Sequence, residues 1–455
     1  MARERDLDKT GFIDNVGRVV RASGAMGGVA ARLAGHKFGF KSDKESHAEG
    51  LRLALGNLKG PLMKGAQLLS TIPGALPEEY ADELAHLQSN APPMGWSFVQ
   101  RRMRAELGGN WESHFRSFSH EAVAAASLGQ VHRAVLNSGQ EVACKLQYPG
   151  MQGAMESDLR QLRTVLGVYG FFGNTIRQDE VYVELAERMR EELDYHREAS
   201  HLRLYRLMLK GISDVTVPEP ISELTTTRLL TMEWVQGRSM RTVLESNLSQ
   251  EQRNNIARGL FYAWYRPVYH FGIIHGDPHM GNFTIREDDG INLLDFGSVR
   301  VFSPRFVGGV VSLFKALQED DEEGAYEAYQ DWGFRNLSRE TVKVLNEWAR
   351  FFYRPLMTDQ ECSMQESNDP AEARATLEKV YDGLKRTGGV TLPREFVMMD
   401  RSAIGLGSAF LRLGARLNWH KMFMELIEGF SVDALASRQR EVLERAGVKP
   451  TRSNI

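Results

Sequence analysis

The sequence predicts an α+β protein that is mainly helical. Apolar residues recur at helical spacing over residues 47–109, where the last helix is expected at residues 96–107, and through most of the chain after residue 237. Two alternating strand patterns joined by a turn occupy residues 131–147, and two further strand patterns cover residues 215–221 and 226–235. A second hairpin lies within residues 275–297, a polar stretch on which most of the functional interpretation depends.

The composition is that of an ordinary soluble protein. The 455 residues are enough for two or three packed units, with 42% apolar and 25% charged residues. The net charge of −3 gives no reason to expect a nucleic acid as a partner. Two cysteines, Cys144 and Cys362, are too few for a disulfide framework and favour a reducing compartment. The charged N-terminus and the lack of any run of about 18 apolar residues predict a cytoplasmic protein, whose membrane contact would be peripheral, at an inner membrane face.

The pattern divides the chain into four segments: a basic, glycine-containing segment (1–46), a helical block (47–115), a strand-containing segment (116–236) and a mainly helical segment (237–455). Residues 15–42 contain arginine and lysine but no acidic residue. That pattern is typical of a helix on a membrane surface and also of a helix with solvated charges. The sequence leaves both interpretations open.

The polar stretch holds residue types suited to phosphoryl transfer. It contains two clusters, His275-Gly276-Asp277 with Asn282, and Asp295-Phe296-Gly297. Asn282 and Asp295 offer the oxygen ligands that Mg²⁺ prefers, and Asp277 could accept a proton or orient a water. On the strand predicted over residues 141–147, Lys145 could hold the α and β phosphates, with Glu198 as its partner. Their order and spacing are typical of a kinase-like active site.

Each motif alone also has a structural interpretation. Asp277 could cap a helix, and Asn282 could lie in a turn. His275 and His279 are spaced like two metal ligands on a helix, but Pro278 between them argues against a zinc site. Only the combination of motifs favours phosphate chemistry.

The predicted nucleotide loop departs from the glycine-rich kinase pattern. Residues 124–127 read Ala-Ala-Ala-Ser, and glycine occurs only at Gly129. Alanine restricts the backbone and narrows its approach to phosphate, so we expect an altered nucleotide pose or preference. With Lys145, the expected nucleotide-binding residues are Ala124, Ala125, Ala126, Ser127, Glu233 and Val235.

Several longer motifs resemble those of the UbiB family of atypical protein-kinase-like proteins. They are AAASLGQVHRA (124–134), VACK (142–145), ELDYHREA (192–199), HGDPHMGN (275–282) and DFG (295–297). In the helical block, KGAQLLS (64–70) followed by LPEEY (76–80) resembles the family's KxGQ motif and its next helix. The resemblance covers roughly residues 50–300, and residues 401–419 are similar as well.

The resemblance implies a bilobal protein-kinase-like fold with a helical N-terminal extension over the active site. It implies ATP and Mg²⁺ as cofactors and ATPase activity linked to ubiquinone biosynthesis. The expected partners are a quinone-precursor or isoprenoid lipid, a membrane surface and quinone-biosynthesis proteins. Carried over by motif, Lys145 and Glu198 form the ion pair, Asp277, Asn282 and Asp295 keep the roles given above, and Lys64, Gln67, Glu192 and Asp194 are the regulatory KxGQ and ExD residues.

Two features depart from the family pattern. Gly65 and Ala66 stand in the order Lys-Gly-Ala-Gln, so the residue before Gln67 is alanine instead of glycine, which leaves the reach of Gln67 open. The C-terminal membrane-spanning segments of some members have no counterpart in the sequence.

Three functions compete. The first is an Mg²⁺-dependent ATPase that supports ubiquinone or isoprenoid-lipid biosynthesis and does not phosphorylate proteins in trans. The second is a small-molecule phosphotransferase of the aminoglycoside or choline type, which also carries an HGDxxxxN loop. The third is a non-enzymatic, lipid-binding pseudokinase scaffold, against which the complete set of Lys145, Asp277, Asn282 and Asp295 argues.

Overall fold

The structure is a computed structural model that describes residues 94–448, except 126–127, 157–158, 161–185, 187–188, 336, 365–375, 377–378, 381, 385 and 388–392. Several predicted features lie outside the described residues. They are the basic segment 1–46, the helical block up to residue 93 with Lys64 and Gln67, and two residues of the alanine loop, Ala126 and Ser127.

The described residues cluster into two units. Unit 1 contains those up to Ala199 together with Pro220–Trp234, and unit 2 contains Ser200–Glu219 and those from Val235 onward. Ser200–Glu219 cluster with the mainly helical part of the chain, although they precede Pro220–Trp234 in the sequence. The four segments expected from the sequence stay a prediction.

Unit 1 is built on an antiparallel sheet. Its elements are α1 (Trp96–Leu107), β1 (Phe115–Phe118), β2 (Ala124–Ala125), β3 (Gly129–Leu136), β4 (Glu141–Gln147), the start of α2 (Tyr195–Met208), and β6 (Leu229–Glu233). The strand order is β1-β3-β4-β6, with β2 paired to the edge of β3. The turn between β3 and β4 places Gly139 at φ 87°, a left-handed conformation that glycine adopts without strain.

Helix α1 belongs to the core of unit 1. It ends at Gly108, whose φ of 88° stops the helix. Phe98, Val99 and Met103 lie on its buried face and join the hydrophobic cluster that includes Val142 of β4. Burial of each such side chain contributes about 1.5–3 kcal/mol. The helix therefore stabilises the sheet that carries Lys145.

Unit 2 is mainly helical. Its helices are α3 (Met240–Leu244), α4 (Gln250–Phe271), α5 (Pro304–Gln318), α6 (Glu322–Trp332), α7 (Arg339–Met357), α8 (Arg394–Leu413), α9 (Trp419–Ile427) and α10 (Val432–Ala446). Its strands are β5 (Val215–Thr216), β7 (Arg238–Ser239), β8 (Ile273–His275), β9 (Phe283–Ile285), β10 (Ile291–Leu293), β11 (Val299–Val301), β12 (Cys362–Ser363) and β13 (Arg416–Leu417). They form a four-stranded sheet, β5-β10-β9-β7, and the pairs β8–β11 and β12–β13.

Helix α4 positions the polar stretch. A capping box formed by Ser249 and Gln252 starts the helix, and Gly272 at φ 64° ends it. The chain then enters β8 directly, which places His275 at the strand end. Over the described part of the chain, we find no helix with the length and apolar character needed to cross a bilayer.

Candidate active site

Lys145 on β4 forms a buried ion pair with Glu198 on α2. The ammonium donates to Oε1 at 2.7 Å and to Oε2 at 3.0 Å. The two side chains are only 12% and 5% exposed. Taking both charges out of water costs several kcal/mol, which the two charge-assisted hydrogen bonds offset. The pair thus fixes the ammonium at one point of the unit 1 sheet.

Tyr195 is a third member of this group, for which the motifs predict no role. It precedes Glu198 by three residues on α2, so both side chains lie on one helix face. The Lys145 Nζ atom lies 5.3 Å from the centre of the buried Tyr195 ring. A cation at this distance from an aromatic face gains about 0.5–2 kcal/mol. The i, i+3 spacing in Tyr-His-Arg-Glu was the available signal.

The first two alanines of the predicted nucleotide loop form β2. Ala124 pairs with Val131 of β3, which in turn pairs with Lys145 of β4. Ala124 and Lys145 therefore share one row of the sheet, roughly 10 Å apart at two strand spacings. Both Ala124 and Ala125 are exposed.

Gly129 meets a packing requirement. A Cβ atom at this position would lie 2.3 Å from the Leu146 carbonyl oxygen of β4. No side chain fits between these two backbones without a shift of one strand. The glycine at this position is explained by the close approach of β3 to β4.

The remaining nucleotide-binding candidates fall in different units. Glu233 ends β6, where it pairs with Val142 of β4 in unit 1. Val235, half-buried, is the first residue of the second stretch of unit 2.

The two ExD residues precede α2. Asp194 is exposed, and its Oδ1 accepts a 3.0 Å hydrogen bond from the backbone N–H of His196, which caps the first turn of α2. Glu192 lies in the turn before it and is half-buried. Lys64 and Gln67, which the resemblance places near them, are outside the described residues.

His275 organises the polar stretch in unit 2. Its Nε2–H donates to the Asp295 carbonyl, and its Nδ1 accepts from the Asp277 backbone N–H at 3.3 Å. These two bonds require the neutral imidazole with the proton on Nε2. Burial lowers the pKa of His275, which favours the same neutral form. The ring thereby ties the two polar clusters to each other.

Asp277, Asn282 and Asp295 lie on the loops that His275 connects. Asn282 Nδ2 donates to the Asp277 carbonyl and to Asp277 Oδ2, both at 3.0 Å. This arrangement turns the amide oxygen of Asn282 away from Asp277. Asp295 Oδ1 accepts from the Gly297 backbone N–H at 3.0 Å, which fixes its carboxylate. All three side chains are partly exposed.

This donor set fits Mg²⁺. Carboxylate and amide oxygens are hard ligands, and Mg²⁺ is usually held by one or two carboxylates together with water and substrate phosphates. The described residues contain no group of three or more His, Cys, Asp or Glu side chains that could form a cage by themselves. Asp295 and Asn282 would hold the metal, which would neutralise charge developing on the phosphates.

Phe296 is fully buried and anchors the DFG segment within unit 2. Its ring packs against Tyr205, at 5.0 Å between centroids, and against His275, at 5.5 Å. The Nδ1–H of buried His201 donates to the Phe296 carbonyl at 2.9 Å. His201 and Tyr205 are one helical turn apart on α2. Neither residue stands in a motif that predicts this role, because a contact 95 residues away leaves no local pattern.

Comparisons with known proteins identify the family of the chain. The sequence profile of the ABC1 atypical kinase-like domain matches residues 86–329. An uncharacterised Synechocystis protein is 32% identical over 343 residues, covering 72% of this chain and 80% of that protein. The mitochondrial atypical kinase coq-8 of Caenorhabditis elegans is 30% identical over 441 residues, covering 90% of this chain and 56% of its own length.

A solved structure extends the similarity to the fold. A Mycobacterium tuberculosis protein solved in complex with erythromycin superposes with a TM-score of 0.61 at 27% identity, covering 85% of this chain and 97% of that one. The chain spans only about half of some relatives, such as 49% of a probable serine/threonine-protein kinase of Dictyostelium discoideum. The predicted kinase-like α+β fold is confirmed. The chain belongs to the ABC1 family of atypical kinase-like proteins, the UbiB family that its motifs resemble.

Proposed function

We propose that the protein binds ATP with Mg²⁺ and hydrolyses it in support of ubiquinone or isoprenoid-lipid biosynthesis, without phosphorylating proteins in trans. Phosphoryl transfer requires a cation on the α and β phosphates, oxygen ligands for a metal, and a group that orients the attacking oxygen. Lys145 in unit 1 is the candidate cation. In unit 2, Asn282 and Asp295 are the candidate metal ligands, and Asp277 is the candidate for the orienting group.

The buried Lys145–Glu198 pair is the observation that carries the proposal. Replacing a buried ion pair with apolar side chains is often neutral or stabilising, so stability alone does not account for this one. A lysine held by a glutamate on the following helix is the arrangement that kinase-like phosphate binding uses. The 2.7 Å and 3.0 Å bonds hold the ammonium in a fixed position.

Asp277 is our candidate for the group that orients the nucleophile. Its backbone is held by His275 and its Oδ2 by Asn282, so the carboxylate has a defined direction. It would accept a proton from water or position the water for attack on the terminal phosphate. Asp295 and Asn282 would hold Mg²⁺.

The lipid link and the exclusion of protein substrates rest on the family resemblance. The KxGQ residues Lys64 and Gln67, to which the covering role belongs, lie outside the described residues. We propose that an anionic lipid or a quinone-precursor mimic stimulates hydrolysis.

Steady-state ATP hydrolysis tests the proposal. We expect Mg²⁺-dependent release of phosphate by the wild type and a loss of at least about 100-fold in Asp295→Asn, since several kcal/mol of charge stabilisation disappear. Asp288→Asn, on an exposed turn near β9, is a matched control and should keep full activity. Equal rates in wild type and Asp295→Asn would overturn the proposal.

A small-molecule phosphotransferase is the second candidate. It is favoured by one observation, that a structurally similar protein was solved with the hydroxyl-rich ligand erythromycin. Stoichiometric transfer of ³²P from ATP to an added macrolide, aminoglycoside or amino alcohol would support it. Release of all label as inorganic phosphate would favour the ATPase.

A further inference from the structure

Unit 2 contains a polar cleft that none of the proposed ATP chemistry uses. Its volume is about 250 Å³, and it is bounded by the loop Gly211–Asp214, by α4 and by the end of α9. Its polar lining includes Tyr262, Arg266, His270 and Glu425. None of these belongs to the polar stretch His275–Gly297.

Three of the lining residues form a stripe along α4. Tyr262, Arg266 and His270 are spaced four residues apart, so their side chains lie on one face of the helix. His270 is in the last turn, where α10 packs against the helix end. There, Arg438 of α10 donates from Nε to the His270 carbonyl at 2.9 Å.

The two arginines are held in place but not neutralised. Arg266 donates from Nε to the Met208 carbonyl at 3.2 Å. Its two terminal amino groups make no hydrogen bond to the described residues. In the part of the chain that the structure describes, neither Arg266 nor Arg438 has a carboxylate within 4 Å. By contrast, Arg258 on the same helix pairs with Asp214 at 3.1 Å. A guanidinium fixed by its Nε is preorganised to bind an anion with its outer edge.

Two positively charged side chains, Arg266 and Arg438, act on the ring of His270. Burial, followed by the charges of Arg266 and Arg438, lowers the pKa of His270 to about 4, and Glu425 opposes this only weakly. Asp214, the other acidic residue of the cleft, is paired with Arg258. At neutral pH the ring is therefore uncharged, and the two guanidinium groups carry positive charge with no carboxylate within 4 Å among the described residues.

At the Tyr262 end of the cleft, the Glu425 carboxylate is a hydrogen-bond acceptor. Tyr262 donates its hydroxyl to Glu425 Oε2 at 2.7 Å, and burial and this carboxylate raise the pKa of Tyr262 above its usual value. Among the described residues, Glu425 has no cationic partner within 4 Å. The cleft thus carries positive charge near His270 and negative charge near Tyr262.

We propose that this cleft binds a phosphate ester whose other end carries an ammonium or hydroxyl group. Arg266 and His270 hold the phosphate, assisted by the charge of Arg438, and Glu425 accepts from the ammonium or hydroxyl group. The volume of about 250 Å³ suits a compact head group and is below the usual size of drug-like sites. A free phosphate ester and a phospholipid head group share this chemistry.

Titration of the full chain with O-phosphoethanolamine, inorganic phosphate and chloride at equal ionic strength tests the site. We expect O-phosphoethanolamine to bind and Arg266→Gln to weaken it at least tenfold. Asp295→Asn should leave this binding unchanged, which separates the cleft from the proposed nucleotide site. Arg241→Gln, which removes an exposed cation on α3, is the matched control.

Two further readouts do not depend on the stability of Arg266→Gln. Glu425→Gln should raise the affinity for inorganic phosphate, because a repulsive charge is removed, while lowering the preference for O-phosphoethanolamine. In the wild type, NMR titration of His270 should show its pKa moving upward from about 4 when the ligand is bound, since an anion stabilises the imidazolium.

Vesicles distinguish the two sources of the phosphate. Arg266-dependent co-sedimentation with vesicles of phosphatidylcholine and phosphatidylethanolamine would assign the site to a lipid head group. Binding of O-phosphoethanolamine without co-sedimentation would assign it to a free ester. Absence of both, or binding that Arg266→Gln and Glu425→Gln leave unchanged, would overturn the proposal.

Discussion

Removal of the charge of Glu198 should both destabilise unit 1 and abolish nucleotide chemistry. At about 3 Å and an effective dielectric constant of about 20, the attraction between the two charges is roughly 5 kcal/mol. Glu198→Gln keeps the volume but leaves Lys145 buried without its counter-charge, and the contact with the Tyr195 ring, present in both forms, does not offset the loss. We therefore expect a loss of about 3–5 kcal/mol in the free energy of unfolding.

A double-mutant cycle separates stability from function. Lys145→Met with Glu198→Leu replaces the pair by apolar side chains of similar size, which is often neutral or stabilising. We expect the double mutant to recover most of the stability lost in either single mutant, with a coupling energy of about 2 kcal/mol or more. It should remain without ATPase activity, because the phosphate-binding ammonium is gone.

Urea unfolding followed by tryptophan fluorescence gives the stabilities, and phosphate release gives the activity. Exposed Arg190→Gln, which breaks the ion pair with Glu156 in the same unit, is the control, and it should change stability by less than about 1 kcal/mol. A double mutant that is stable and fully active would refute the role of the pair.

Three smaller predictions address single positions. In urea unfolding, Gly129→Ala should lower the free energy of unfolding by about 2–3 kcal/mol, because the added Cβ would lie 2.3 Å from the Leu146 carbonyl oxygen. Gly109→Ala is the control and should be nearly neutral, because an added Cβ there meets no atom within 4 Å. Ala124→Gly should raise ATP affinity several-fold in a calorimetric titration, since glycine lets the loop approach phosphate more closely; unchanged affinity would show that the alanine loop does not restrain the site. As pH falls from 6.5 towards 4, the unfolded chain takes up a proton at His270 before the folded chain does, so the free energy of unfolding decreases over this window. The full pKa difference corresponds to about 3 kcal/mol, and solvent screening of this partly exposed group reduces the expected loss to about 2 kcal/mol. His270→Asn should flatten that part of the stability curve, and an unaltered slope would contradict the lowered pKa.

The strongly patterned elements of unit 1 could be predicted with their bounds. The helix expected at residues 96–107 and the strand expected at residues 141–147 are found with those limits as α1 and β4. Each has a clear apolar period and is bounded by residues that stop it, such as Gly108 after α1. Local sequence contains all of that information.

The short strands could not be predicted. The strand expected over residues 215–221 is reduced to β5, Val215–Thr216, because it pairs with β10 some 75 residues away and only for two residues. The pairs β8–β11 and β12–β13 were not expected at all. Strands of two or three residues carry no measurable alternation, so only tertiary pairing defines them.

The candidate site likewise contains residues that the sequence predicts and residues that only the structure reveals. Motif order was sufficient to nominate Lys145 and Glu198, and the structure brings these two side chains together. Motif order did not assign Tyr195 to Lys145, although its i, i+3 spacing from Glu198 is visible in the sequence, and it gave no indication of His201 on the Phe296 carbonyl. Those contacts depend on the helical rotation of α2 and on long-range packing, which a motif does not encode.

Calorimetric titration of the full chain with ATP, with and without Mg²⁺, is the most direct test of the proposed nucleotide and metal binding. We predict that the wild type binds ATP and that Mg²⁺ tightens binding at least tenfold. In Asp295→Asn we predict that ATP still binds but that Mg²⁺ no longer strengthens binding. Failure of the wild type to bind ATP in either condition, or an equal Mg²⁺ effect in Asp295→Asn, would contradict the assignment of nucleotide and metal chemistry to this chain.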